Sequence, residues 1–387
     1  MPELISRMRR FGTTIFAEMS RLAHEHGAIN LGQGFPDTDG PREVLEAAVA
    51  GIRTGDNQYP PGRGVPELLD AIAAHQQHYY GLRYDPASEI LVTVGATEAL
   101  SASLLALCEP GDEVIAFEPF YDVYDAAITL AGGTLVPVRL EAPEFTIDPA
   151  RLEAAVTERT KVILLNTPHN PTGHVFGREE LQRIADVALR HDLVVITDEV
   201  YEHLTFDGRE HTPIAMLPGM RERSILISSG GKTFATTGWK VGWVCASPDL
   251  VTAVTTVKQF LTFVGPAPMQ RGIAAGLRLP DTRIAEIRDS LQRQRDVLVE
   301  ALEVTGMRVH VPEGGYFIVA DVGPLGVTSA IDFCRKLPER VGVAAVPMTV
   351  FYRDATGVET LVRFAFSKRV EVLEEAASRL AALGTSI

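Results

Sequence analysis

The chain has 387 residues, 46% of them hydrophobic and 22% charged, with a formal charge of −14. That length buries a large core in two domains, and the acidity excludes nucleic acid and anionic membrane, each of which needs a broad basic face. No apolar run reaches a membrane span, no signal peptide follows Arg7, Arg9 and Arg10, and Cys108, Cys245 and Cys334, odd in number and far apart, read as reduced thiols of a cytoplasmic protein.

Short apolar runs at 90–94, 113–117, 135–138, 162–165, 193–197, 225–227 and 241–244 alternate with longer amphipathic segments. Runs that are apolar throughout belong to strands covered on both faces, which predicts an α/β core with a mostly parallel seven-stranded sheet. Helices are expected at 97–107, 149–155 and 179–190. Residues 249–304 read as helices broken near 265–268. After Gly306 the pattern changes to a strand at 314–320, a helix at 330–336, a strand at 361–366 and a last helix, an α+β unit of another type.

In such sheets ligands bind at the carboxyl ends of the strands, so the residues that follow each run carry the chemistry. Gly95-Ala96-Thr97-Glu98 follows the first run, where free amides at a helix start suit an anion; a tight turn with a Thr cap is the plainer reading. Tyr121, after Glu118-Pro119-Phe120, offers a ring to stack or to pack. Asn166 and Asn170 flank Thr167-Pro168-His169, and they are two of only four asparagines in the chain. Asp198 closes a buried run, and a carboxylate there costs several kcal/mol unless it faces a cation. A protonated pyridine nitrogen fits that role, with Tyr201 placed to reach an oxygen on the same ring.

The chain uses six lysines against thirty arginines, and Lys232 and Lys240 lie eight residues apart. Arginine stays charged, whereas a lysine can lose its proton and attack a carbonyl, so Lys232 is expected to form a Schiff base with a cofactor aldehyde. Gly231-Lys232-Thr233 also resembles the end of a phosphate-binding P-loop, but that loop needs a glycine five places before Gly231, where Leu226 stands. Ser229 and Lys240 supply a hydroxyl and a second cation. Arg363 interrupts an apolar strand and, if buried, suits an α-carboxylate. No metal site is expected: the only close histidine pairs, His24 with His26 and His75 with His78, sit in polar helical stretches.

Together, Asn170-Pro171-Thr172-Gly173, Asp198 with Tyr201, Ser229 with Lys232, and Arg363 resemble the class I/II aminotransferases, fold-type I enzymes that use pyridoxal 5′-phosphate. The resemblance runs from Asn30 to Phe364. It implies a large cofactor-binding α/β domain at 46–272 and a small α+β domain formed by 1–45 with 273–387. It implies that Lys232 holds the cofactor and moves the proton, that Asp198 pairs the ring nitrogen, and that Asn170 and Tyr201 contact the ring oxygen. Tyr121 would stack on the ring, and Ala96, Thr97, Ser229 and Lys240 would bind the phosphate. Gly34, Asn170 and Arg363 would take the substrate carboxylate, with Asn166 beside them.

Within the family the chain looks like the branch of kynurenine, glutamine and methionine aminotransferases and N-succinyldiaminopimelate aminotransferases of lysine biosynthesis. Residues 14–20, 57–62 and 343–348 look nearest to the last of these. In that branch Phe16 lines the pocket, and Tyr59 and Phe263 reach it from a second subunit, which implies a homodimer. The expected reaction is transamination, with glutamate/2-oxoglutarate as the expected pair. A methionine, glutamine or kynurenine aminotransferase with β-elimination of cysteine conjugates is the alternative. A regulator without turnover would want an added DNA-binding unit, for which there is no room ahead of Phe11. A distal carboxylate on the substrate would be met by Arg63 or Arg271.

Overall fold

The computed structural model of the protein describes residues 5–12 and 14–385. Before residue 90 the sequence marks only polar helical stretches around His24 and His75, without bounds, and the structure puts three α-helices there. The hydroxyl of Thr14 accepts from the Ala17 amide and starts α1 (Ile15–Glu25), which leads into a two-residue strand, β1 (Ile29–Asn30). Next come α2 (Arg42–Thr54) and α3 (Pro66–Tyr80). Proline opens α3, where its missing N–H costs nothing, and Gly81 ends it at φ 69°, a conformation open to glycine without strain.

The central unit then alternates strand and helix: β2 (Ile90–Val94), α4 (Gly95–Leu107), β3 (Glu113–Glu118), α5 (Val123–Leu130), β4 (Thr134–Arg139), α6 (Pro149–Ala154), β5 (Thr160–Asn166) and α7 (Arg178–Arg190). It continues through β6 (Val194–Asp198), β7 (Ser224–Ser229), α8 (Gly230–Thr233) and β8 (Val241–Cys245). All seven expected strands form, in the spatial order β2-β8-β7-β6-β5-β3-β4. Only β8 runs against its neighbours, so the sheet is mostly parallel as expected.

Period-two alternation explains why the runs are apolar throughout. Val114, Leu164 and Ile196 pack into one buried cluster, while Ile115, Ile163 and Val195 pack into another on the opposite face. Each such side chain taken out of water contributes about 1.5–3 kcal/mol, so neither face tolerates a charge except at the strand ends.

The helical stretch resolves into α9 (Pro248–Lys258), α10 (Ala267–Leu277) and α11 (Asp281–Val304), with the break where Gly265 and the prolines stand. Beyond it lie β9 (Arg308–His310), β10 (Phe317–Asp321), α12 (Ala330–Val341), β11 (Val343–Ala344), β12 (Val346–Pro347), β13 (Leu361–Ala365) and α13 (Val370–Leu380). They form an antiparallel sheet ordered β12-β13-β10-β9, and β11 pairs in parallel with β1. Backbone bonds from Leu31 to Ala344 and from Ala365 to Leu31 tie the N-terminal segment along this second unit and carry Gly34 toward the central sheet. No helix among the described residues is long and apolar enough to cross a membrane.

Candidate active site

A cavity of about 430 Å³ opens where β5, β6 and β7 end, within the size range of small-molecule sites. Asn166, Asp198 and Ser229 are the last residues of these three adjacent strands, and all three line it. Every expected site residue except Tyr59, Phe263 and the two arginines Arg63 and Arg271 lines this one cavity, including Phe16, Gly34, Tyr121, Tyr201 and Arg363.

Asn166 is the clamp of the floor. Its Nδ2 donates to the Asp198 carbonyl at 2.8 Å, and its Oδ1 accepts from the Asn170 amide at 2.7 Å. One side chain thereby fixes the ends of two strands. Asp198 itself is buried, with Oδ2 accepting from the Tyr124 hydroxyl at 2.8 Å and Oδ1 from the Val200 amide at 3.3 Å. Burial pushes its carboxyl up, against these two hydrogen bonds and the Lys232 charge, which pull it down.

Lys232 sits in the single turn of α8, directly after β7. Its amine lies 3.5 Å from the Gly34 carbonyl and 5.5 and 5.6 Å from the ring centroids of Tyr201 and Tyr316, while the Tyr316 hydroxyl donates to the Lys232 carbonyl. Burial lowers the amine to about 8, with Asp198 opposing the fall and Arg363 and Lys240 adding to it. The site therefore holds this amine far closer to its neutral form than a surface lysine.

At the other end of the cavity, α4 begins at Gly95, two residues earlier than the sequence pattern predicts. The first-turn residues Ala96 and Thr97, the Ser229 side chain and Lys240 all line this end. A Cβ on Gly95 would lie 3.1 Å from both Cε and Nζ of Lys240, and Gly95 has φ +74°. Glycine there both permits the turn and leaves room for the lysine. The helix N-terminus, a hydroxyl and an amine together make an anion site of the phosphate type.

Arg363 marks the opposite wall. It is buried in β13, where Nη1 donates to Asn170 Oδ1 at 3.0 Å and Nη2 to the Gly32 carbonyl at 3.1 Å. Its guanidinium carbon lies 3.8 Å from the Phe317 ring centroid and 4.6 Å from that of Phe351. No carboxylate among the described residues pairs with it, its Nε has no partner, and burial pulls it down to about 10. A buried, unneutralised planar cation beside an open cavity is a carboxylate site.

Tyr59 and Phe263 lie elsewhere. They pack on each other with centroids 5.3 Å apart and remain 80% and 52% exposed, so within one chain neither reaches the cavity. Arg63 and Arg271, expected to meet a distal carboxylate, are engaged otherwise. Arg63 donates to the carbonyls of Ala87 and Ile90, and Arg271 pairs with Asp56 and Glu67. The sequence reading misses Tyr124, the partner of Asp198, and also Asp122 and Phe317 in the lining. The spacing from Tyr121 to Tyr124, one helical turn, is the signal that points to Tyr124.

Comparison with known proteins agrees with this geometry. A family model described as aminotransferase class I and II matches residues 26–380. A probable N-succinyldiaminopimelate aminotransferase of Mycobacterium tuberculosis is 49% identical over 98% of each chain. The solved structure of that enzyme from the same organism superposes with a TM-score of 0.96, covering 98% of this chain and 100% of the other. The methionine aminotransferase of Escherichia coli is 40% identical over 97% of each chain, and its structure superposes with a TM-score of 0.95 over 98% of this chain and 100% of that one. A kynurenine–oxoglutarate transaminase of Dictyostelium discoideum is 38% identical over 96% of this chain and 94% of its own.

Proposed function

The chain belongs to the class I and II aminotransferases, which act on amino acids and 2-oxo acids, and from that premise we propose that its cavity holds pyridoxal 5′-phosphate with Lys232 as the tethering amine. One observation carries the reading: a half-buried lysine amine, a buried carboxylate and a buried guanidinium with no carboxylate partner among the described residues all face a single cavity. The residues fit the cofactor. Lys232 would hold its aldehyde carbon, Asp198 its ring nitrogen, Tyr201 and Asn170 its ring oxygen, and Tyr121 its face. Ala96, Thr97, Ser229 and Lys240 would hold its phosphate.

When bound, the cofactor supplies a cationic ring that accepts the charge left when a substrate Cα loses its proton. The chain supplies the rest. Arg363, with Gly34 and Asn170, binds the α-carboxylate and so fixes which Cα–H bond points at Lys232. The Lys232 amine, kept near neutrality by burial, takes that proton and returns it; general-base transfer of this kind contributes roughly 10²–10⁴-fold. Asn166 acts through Asp198 and Asn170 as a positioning residue.

For the substrate we propose N-succinyldiaminopimelate with 2-oxoglutarate/glutamate as the partner pair, supported by the 49% identical relative. The lining supports a second reading, because Phe16, Phe35, Tyr121 and Phe317 favour an uncharged side chain such as that of methionine or kynurenine. β-Elimination from cysteine conjugates belongs to that second reading. A homodimer is proposed because Tyr59, Phe263 and Phe260, the last 83% exposed, leave an aromatic patch uncovered; Tyr59 and Phe263 would enter the partner's cavity. A cytoplasmic setting is proposed as well, supported by three buried free cysteines.

The division into 46–272 and 1–45 with 273–387 is proposed on the placement of the seven-stranded sheet in the first and the two smaller sheets in the second. Residues 1–4, 13 and 386–387 of the second unit lie outside the described residues. The deciding experiment for the substrate mixes the yellow enzyme with single amino acids and follows loss of its visible absorbance. A fast response to N-succinyldiaminopimelate alone supports the first reading. A response to methionine or kynurenine alone supports the second, and pyruvate release from cysteine conjugates without an acceptor reveals elimination.

A further inference from the structure

One cluster of histidines has no part in the chemistry above. The sequence pairs His75 with His78 on a polar helix, yet His75 is only 3% exposed and turns from His78 to His203, 128 residues on. The two Nε2 atoms lie 2.6 Å apart, and a Glu202 carboxylate oxygen joins them with all three ligand atoms within 4.8 Å of one another. His78 instead contacts Asp281 at the surface.

We propose that His75, His203 and Glu202 form a binding site for a divalent transition-metal ion, zinc being the best match to two imidazoles, a carboxylate and one open position. The ring nitrogens would separate by under an ångström to reach the roughly 3.3 Å that spans two ligands of a tetrahedral zinc.

The surroundings are those of a built site. The Tyr80 hydroxyl donates to Glu202 Oε2 at 2.8 Å and the Ser228 hydroxyl donates to Oε1, which orients the carboxylate and leaves lone pairs free. Gln76 is 0% exposed, and its Oε1 has no partner, although its Nε2 lies 3.5 Å from His75 Nδ1. A half-turn of that amide would present Oε1 to an Nδ1–H, fixing the tautomer that leaves the Nε2 lone pair for an ion. Without an ion, the His75 and His203 pair must share one hydrogen between two Nε2 atoms. His203 is the half-buried member and opens the cluster outward.

None of the three ligands lines the catalytic cavity, so the test is read apart from transamination. Holoenzyme stripped with a chelator is exchanged into plain buffer and titrated with zinc chloride or cobalt chloride. The expected result is about one ion per chain and a Tm rise of roughly 2–4 °C at free zinc a hundredfold above the dissociation constant. Cobalt should give the visible band of a four-coordinate nitrogen–oxygen site. His75→Phe and His203→Gln should lose the ion and the Tm rise with activity unchanged within about twofold. Wild-type protein that retains no ion, or variants that bind as well as wild type, would overturn the site; the second result places binding on exposed histidines. If His75→Phe does not fold, the wild-type cobalt spectrum decides, and absence of the band overturns the proposal.

Discussion

The Tyr124 hydroxyl donates to Oδ2 of Asp198 at 2.8 Å, so the carboxylate that faces the cavity is held by a phenol from α5. Tyr124 is buried, and burial pushes its phenol well above the ordinary range, with Asp198 adding to the effect; it is a permanent donor. Tyr124→Phe removes one hydrogen bond to a buried carboxylate, worth about 1.5–3 kcal/mol. The expected outcome is weaker cofactor retention and a kcat/KM lower by roughly 10–100-fold with the fold intact. Unchanged cofactor affinity, measured by dialysis and reconstitution, would contradict the pairing.

Arg363 tests the carboxylate end. Arg363→Lys keeps the charge but loses the planar fork that Asn170 Oδ1 and the Gly32 carbonyl orient. KM for the amino acid should rise so that kcat/KM falls about 10²-fold, with Tm little changed. Steady-state kinetics with two amino donors checks this; an unaltered KM for both removes Arg363 from the substrate site.

Gly34 faces the Phe317 ring so closely that an added Cβ would lie 2.2 Å from Phe317 Cζ. Gly34→Ala must therefore push aside the ring that stacks on Arg363 or shift the 29–36 segment. A kcat/KM loss of at least about tenfold is expected, since misplacement by an ångström is costly in an oriented site. Kinetics equal to wild type would show that the segment yields freely.

His174 sets a pH window for stability. Burial by itself pulls its imidazole down, but hydrogen bonds and charge from Glu180 and Glu313 outweigh burial and hold it up at about 9. A folded value above the unfolded one gives stability that is complete below about pH 6.5 and is lost as pH rises through about 9. His174→Gln should lower unfolding free energy by roughly 2–3 kcal/mol near pH 6 and by almost nothing near pH 10. Denaturant unfolding at both pH values checks it; an equal gap at the two would contradict the ion-pair account.

How much of this was legible follows from where the signal is local. Three or four apolar residues followed by Asn166, Asp198 or Ser229 mark both a strand and its functional end, because burial on both faces leaves nowhere else for a polar group. Tyr124 was not legible in this way. α5 has eight residues and no marked apolar period, and its contact with Asp198 is 74 residues distant. The stretch around His75 and Gln76 reads as a solvated face and is instead buried, since the partner that accepts it, His203, comes from the loop after β6. Tyr59 and Phe263 show the remaining gap: their aromatic character is plain, but the chain alone gives them only each other.

The amine at the turn after β7 is where the cofactor would be tethered. Purified enzyme is treated with borohydride, digested, and its peptides weighed. A reduced pyridoxyl-phosphate mass is expected on the peptide bearing Lys232 and on none of the other five lysines. An unmodified Lys232, or the mass on Lys240 or Lys258 instead, would contradict it.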